Sequence, residues 1–302
     1  MSHYDLIDIE NRIINDLSDS CDLNQEAAIY ISRELDQSAE FGKTLVAELH
    51  DNLNQYSQTI QDINQTYSLN YLDGCKTFFI KLNLMSLKPA NHHPVLSRFT
   101  SMILFSSGKI LTEHKNNLTQ LEMIHTGIHE AHAKNREIAL SYNAFLDSCI
   151  QLLAQFDKQI LLGKCIIETL RKDKTDPAKN IARKTLKKRV FTLELEKNTP
   201  MQIITRLQII HELYEEYFSV FNQELYANFI LFQQKYLDII RLRENQINTI
   251  HNTSKNGNDP DFDNLCNNYN KILTALRSLI ILDEDIKEKT DDFEETIACL
   301  CK

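Results

Sequence analysis

Tryptophan is absent from this chain, and its 302 residues include only six glycines and five prolines. With chain breakers so scarce and Leu, Ile, Asn, Gln, Lys and Glu plentiful, the composition is α-helical. No apolar run approaches the 18 residues of a membrane span. The opening MSHYDLIDIE has neither the basic n-region nor the apolar h-region of a secretory signal. The seven cysteines (Cys21, Cys75, Cys149, Cys165, Cys266, Cys299 and Cys301) are odd in number and scattered, with no CxxC spacing. A disulfide framework is therefore not expected; buried thiols and a reducing, cytoplasmic compartment are. Also missing are a Gly-rich phosphate loop, a GxSxG, an HExxH and any Cys with an assignable His partner. His211-Glu212 and the pair His92-His93 stand isolated. These absences leave an enzyme unsupported and call for no cofactor. The formal charge of −9 argues against a general nucleic-acid binder, because neutralising phosphates needs a basic face.

What is present is helical periodicity. From Ser97 to Leu170 no proline occurs, and a heptad with position a at Leu111 runs through Leu118, Leu121, Ile128, Ala139, Tyr142, Leu146, Leu153, Phe156 and Ile160. His114, His125, His132 and Asn135 occupy seam positions of the same register. Position g adds Ile124, Ile138, Phe145 and Leu152, which widens the stripe to that of a helix packed among several neighbours. Such a helix would be on the order of 100 Å long if straight, and Gly108, Gly127 and Gly163 are places for it to kink or stop.

Further helices are expected over residues 3 to 18 and 23 to 68, the second behind an Asp22 cap with Gln25 in the position of a capping box. Another follows a break near Asp73-Gly74, and a basic one spans Pro177 to Leu195. A long helix over 200 to 251 starts with Thr199 as cap and Pro200 at its first position, and a last one bears Leu265 to Ile280. The segment KPANHHP and the stretch Thr253 to Pro260 read as linker and loop. The expected fold is all-α, an elongated bundle of a few long antiparallel helices with coiled-coil-like packing. Its parts are the N-terminal helices 1–87, a long-helix body 96–252 with a basic connector 171–199, and a C-terminal helix with acidic tail 261–302, together one continuous domain.

Two clusters carry candidate chemistry. In the first, Glu122, His125, His129 and His132 fall on neighbouring helical turns, and Glu122-x-x-His125 has the spacing used in carboxylate-bridged di-iron bundles. No second Glu-x-x-His accompanies it, so a metal is the weaker reading. The stronger one makes His125 and His132 polar layers of the seam, with Glu122 and His129 at its wet edge. The second cluster is basic: Arg171, Lys172, Lys174, Lys179, Arg183, Lys184, Lys187, Lys188 and Arg189, nine cations against two aspartates, give this stretch +7 and leave the rest at −16. It is a candidate face for an anionic membrane surface; the bland alternative is a solvated helix paired with acids such as Asp283, Glu284 and Asp285.

The chain closes Asp291-Asp292-Phe293-Glu294-Glu295-Thr296-Ile297-Ala298-Cys299-Leu300-Cys301-Lys302. An acidic cluster followed by a short apolar patch resembles the E-block export signal of Dot/Icm type IV secreted effectors, proteins that intracellular bacteria deliver into host cytosol. That resemblance implies delivery into a host cell and a protein partner there. The resulting expectation is a non-enzymatic effector or adaptor that presents long helical faces to a host protein or another effector. Tyr and Phe of the 200 to 251 helix are its candidate hot spots. Peripheral membrane binding and a metal-dependent helical enzyme are the alternatives.

Overall fold

The computed structural model describes residues 20–64, 70–87, 100–172, 176–248 and 260–300. The helix expected over 3 to 18, the KPANHHP linker, the loop before Pro260, Lys174, Cys301 and Lys302 lie outside them. The fold is all-α, with no strand among the described residues. Its α-helices are α1 (Ser20–Arg33), α2 (Lys43–Asn64), α3 (Asn70–Lys81), α4 (Thr100–Lys172), α5 (Pro177–Glu196), α6 (Asn198–Val220), α7 (Ala227–Asn248) and α8 (Pro260–Leu300). Short 3₁₀ turns lie at Leu35–Gln37 and Leu84–Leu87, and a π-helical segment, Phe221–Tyr226, joins α6 to α7.

The heptad predicts α4 well. Every seam position from Leu111 to Ile160 is buried or half-buried, while Glu113, Glu122 and Lys158 are exposed. The glycines neither stop nor break the helix, which runs through Gly108, Gly127 and Gly163. Two of them serve close approach instead. A Cβ at Gly127 would collide with the ring and hydroxyl of Tyr71, and one at Gly163 would collide with Val190. The expected break at Asp73-Gly74 is likewise absent, since α3 passes through it and buries Leu72, Cys75 and Phe79. Packing of that face outweighs a glycine cost of about 1 kcal/mol.

Two other boundaries differ from the reading above. The helix expected over 23 to 68 is interrupted between Arg33 and Lys43, where Gly42 takes a left-handed φ of 72° and lets Leu193 approach. Residue 22 also falls inside α1, so the helix starts ahead of the expected cap. At the other end, α6 begins at Asn198, directly after Lys197, whose own backbone is helical. Thr199 and Pro200 therefore lie within the first turn. Proline costs little there, because the N–H groups of a first turn have no intrahelical acceptor.

Chain contacts divide the molecule into two compact units, one made of 1–67, 138–212 and 287–302, the other of 68–137 and 213–286. In the first, Tyr56 stacks on Phe145 with ring centroids 3.5 Å apart, and Phe293 and Tyr142 meet Tyr56 edge-on. Leu153, Phe156, Ile166, Leu186, Leu193, Ile203 and Ile204 complete this core. An ion pair sits inside the same unit: Lys197 Nζ lies 2.8 Å from Asp157 Oδ1, both side chains largely covered. In the second unit Phe79 contacts Phe229 and Phe232, and Leu121, Phe221, Leu225, Leu265 and Leu276 are buried. Tyr71 donates to the Ile124 carbonyl at 2.6 Å, and Tyr269 to the Phe79 carbonyl at 2.8 Å.

The described cysteines form no disulfide; Cys75 and Cys149 are buried, and burial pushes both thiols up to about 12. No helix among the described residues is long and apolar enough to cross a membrane.

Candidate functional site

The basic segment folds as α5 for local reasons. Asp176 stands before Pro177, and its Oδ1 accepts the Ala178 N–H at 2.9 Å, so cap and proline together set the first turn. Ala182, Leu186, Val190 and Leu193 then recur at spacings of four and three and are buried. Gly163 of α4 makes room for Val190, which draws the two helices together.

That buried row decides where each cation points. Arg189 turns toward the body of its unit and donates from Nε to the Phe41 carbonyl at 3.0 Å. Lys179 and Arg183 are half-buried, and the Arg183 Nε is covered with no hydrogen-bond partner among the described residues. Arg171 and Lys172 are exposed at the end of α4, where Arg171 pairs loosely with Glu168 at 3.4 Å. Only Lys184, Lys187 and Lys188 face outward along α5, and they form no ion pair among the described residues. The cations thus ring the helix instead of forming one continuous basic face. Asp283, expected among their acidic partners, is buried beside Tyr217 in the other unit.

The outward side of α5 is not simply cationic. Ile181, Phe191 and Leu195 stand there 67%, 61% and 55% exposed. Ile181, Lys184, Lys188, Phe191 and Leu195 follow at alternating spacings of three and four, one face directly opposite the buried row. Beside Phe191 an open groove runs between α4 and α5, lined by Lys164, Ile167, Glu168, Lys187, Val190 and Glu194. Across it Lys164 pairs with Glu194 at 2.8 Å.

The histidine cluster belongs to the other unit. Glu122 and His129 are exposed and His125 and His132 half-buried, as the seam reading expects. Aromatic rings, not ligands, surround them. His125 packs face-on toward Tyr226 and Phe229, His129 edge-on to Tyr226, and His132 stacks on Phe221 with centroids 3.9 Å apart. The π-helical segment supplies Phe221 and Tyr226 to this stack. Among the described residues no group of three or more His, Cys, Asp or Glu could hold a metal ion. Burial lowers the pKa of His125 and His132, with His129 adding to both.

One polar chain escaped the sequence reading. His114, buried on the seam, is 2.7 Å from Ser86 Oγ through Nε2 and 2.5 Å from the Tyr236 hydroxyl through Nδ1. Ser86 Oγ itself donates to the Asn83 carbonyl at 2.7 Å, so its oxygen accepts from His114 Nε2–H and Nδ1 accepts from Tyr236. The donors therefore run from Tyr236 to His114 to Ser86. A nucleophile would need the opposite direction, with its hydroxyl donating to the imidazole. The chain ties the turn Leu84–Leu87 to α4 and α7.

Of the expected aromatic hot spots, Tyr214, Tyr217, Phe221, Phe229, Phe232 and Tyr236 are buried in the core, while Phe218 and Tyr226 are half-buried. Near the C-terminus, Phe293 and Ile297 are buried, while Asp291, Asp292 and Glu295 are exposed. No protein-family description, no curated protein and no solved structure matches this chain.

Proposed function

We propose that this chain is a non-catalytic adaptor that binds a protein partner through the outward face of α5. The observation that carries this reading is the presence, on one side of a short, firmly packed helix, of three large apolar side chains and three lysines that form no ion pair among the described residues. Apolar residues that are neither buried nor scattered singly mark association surfaces, and a rigid helix presents them without an ordering cost. The groups that could suggest turnover are otherwise engaged: the histidines lie among aromatic rings, and Ser86 is tied to a backbone carbonyl.

The test is affinity capture from host-cell lysate on the immobilised chain, beside a Lys184→Glu/Lys188→Glu variant. The reading expects a protein retained by the natural chain and lost from the variant. An identical set of proteins on both would contradict it. The acidic tail's resemblance to the E-block signal supports a second element of the proposal, that the adaptor is a type IV secreted effector working in host cytosol. A translocation reporter fused ahead of the chain should lose delivery when Asp291, Asp292, Glu294 and Glu295 become alanine, and unchanged delivery would remove that element.

A further inference from the structure

We infer that the outward face of α5 receives an acidic peptide segment of the partner, an apolar anchor residue seated against Phe191 and flanking carboxylates held by Lys184, Lys187 and Lys188. This assignment rests on the docking role proposed above and gives the partner its chemistry. From Ile181 to Leu195 the face is a single straight track of roughly 20 Å, long enough for about four turns of a partner helix or a short extended segment. It offers apolar contacts at both ends and charge in the middle.

The groove supplies the anchor position. Ile167 and Val190 floor it, Phe191 walls it, and Lys187 borders it. Apolar recesses with polar margins are where a few partner side chains become fully desolvated and supply most of the binding energy. Charge complementarity fixes the sign of the partner. Glu194 is already engaged by Lys164 at 2.8 Å, and Glu168 by Arg171 at 3.4 Å. The charge left uncompensated on the face is therefore that of Lys184, Lys187 and Lys188. A carboxylate-bearing segment meets this arrangement, and a basic one is repelled.

An anionic bilayer fits it less well. A planar surface cannot enter the groove, the carboxylates of Glu168 and Glu194 stand at the groove's margin, and the chain as a whole carries −9. Lysine also suits carboxylates spaced along a flexible segment, because its ammonium is a point charge with no fixed fork to satisfy.

The experiment is selection from a displayed random-peptide library on the full chain, counter-selected on a Lys184→Glu/Lys187→Glu/Lys188→Glu/Phe191→Ser variant of unchanged circular dichroism. The expected pool carries Leu, Ile or Phe flanked by Asp or Glu. In fluorescence anisotropy its leading peptide binds the variant about tenfold or more weakly and loses affinity with salt. A milder Lys184→Gln/Lys188→Gln variant gives an intermediate loss, so the result does not hang on the fold of the quadruple variant.

Selected peptides without acidic residues, or peptides that bind the variant equally well, overturn this inference and leave an adaptor docking elsewhere. No enrichment at all overturns the docking role with it. Flotation of the chain with phosphatidylcholine–phosphatidylserine vesicles, lost in the same variants, would reassign the face to lipid and overturn the peptide assignment.

Discussion

Removing the lysine at the junction of α5 and α6 should cost far more than removing any surface lysine. Lys197 Nζ lies 2.8 Å from Asp157 Oδ1 with side-chain exposures of only 17% and 11%, and Asp157 Oδ2 is buried with no hydrogen-bond partner among the described residues. In Lys197→Ala the Asp157 carboxylate would keep its burial and lose its counter-charge. Breaking a covered pair from one side costs about 3–5 kcal/mol. The pair Lys115–Glu244 provides the control: its distance is similar, 2.6 Å, but its exposures are 47% and 40%. Pairs so exposed contribute about 0–1 kcal/mol, so Lys115→Ala should be nearly silent. Replacing both buried partners, as in Lys197→Met/Asp157→Leu, should recover most of the loss, because the stranded charge is then gone. Urea unfolding followed by circular dichroism and tyrosine fluorescence measures all three. A Lys197→Ala loss no greater than that of Lys115→Ala would refute the reasoning, as would a double variant worse than the single.

Gly127→Ala replaces a helix-breaking residue by the best helix former, yet should destabilise by about 2 kcal/mol, because the new methyl strikes Tyr71; a gain in the urea midpoint would contradict the close approach. Phe293→Ala empties a fully buried site among Tyr56, Tyr142 and Phe145 and should cost about 3–5 kcal/mol. A near-neutral midpoint would mean that the end of α8 does not pack as described. Burial lowers the pKa of His114, against a smaller raising influence of Glu113, and lowers that of His132, where His129 and Arg136 add to it. Folded imidazoles of depressed pKa leave the unfolded state with more bound protons. Stability should thus be complete above about pH 6.5 and fall as the pH drops below it. Urea midpoints that hold constant or rise on acidification would contradict this sign.

The long helices were legible because a 3.6-residue stripe leaves a direct imprint on sequence, and α4 follows its seam from Leu111 to Ile160. Interruptions were less legible. Gly74 and Gly42 are the same residue type, yet one lies inside a helix and the other turns the chain with a positive φ; contacts remote in sequence decide between them. The π-helical segment at Phe221 leaves no trace, since it changes the hydrogen-bond register without changing which residues are apolar. His125 and His132 were placed correctly in the seam, but the rings of Phe221 and Phe229 that surround them come from about 90 to 100 residues away.

The α5 face was half-readable. Its cations were named, but nothing in the reading of the sequence set Ile181 and Phe191 apart from Leu186 and Val190. Counting at 100° per residue would have placed the two pairs on opposite sides of the helix, which is where the structure has them.

The most direct measurement of the central claim places a photo-crosslinking amino acid at position 188 of α5 and, separately, at position 231 of α7, where Leu231 is an exposed apolar residue. Irradiation in a eukaryotic cell lysate should yield a discrete crosslinked protein from position 188 and none from 231. Crosslinking from 231 alone, or from neither position, would contradict docking through the outward face of α5.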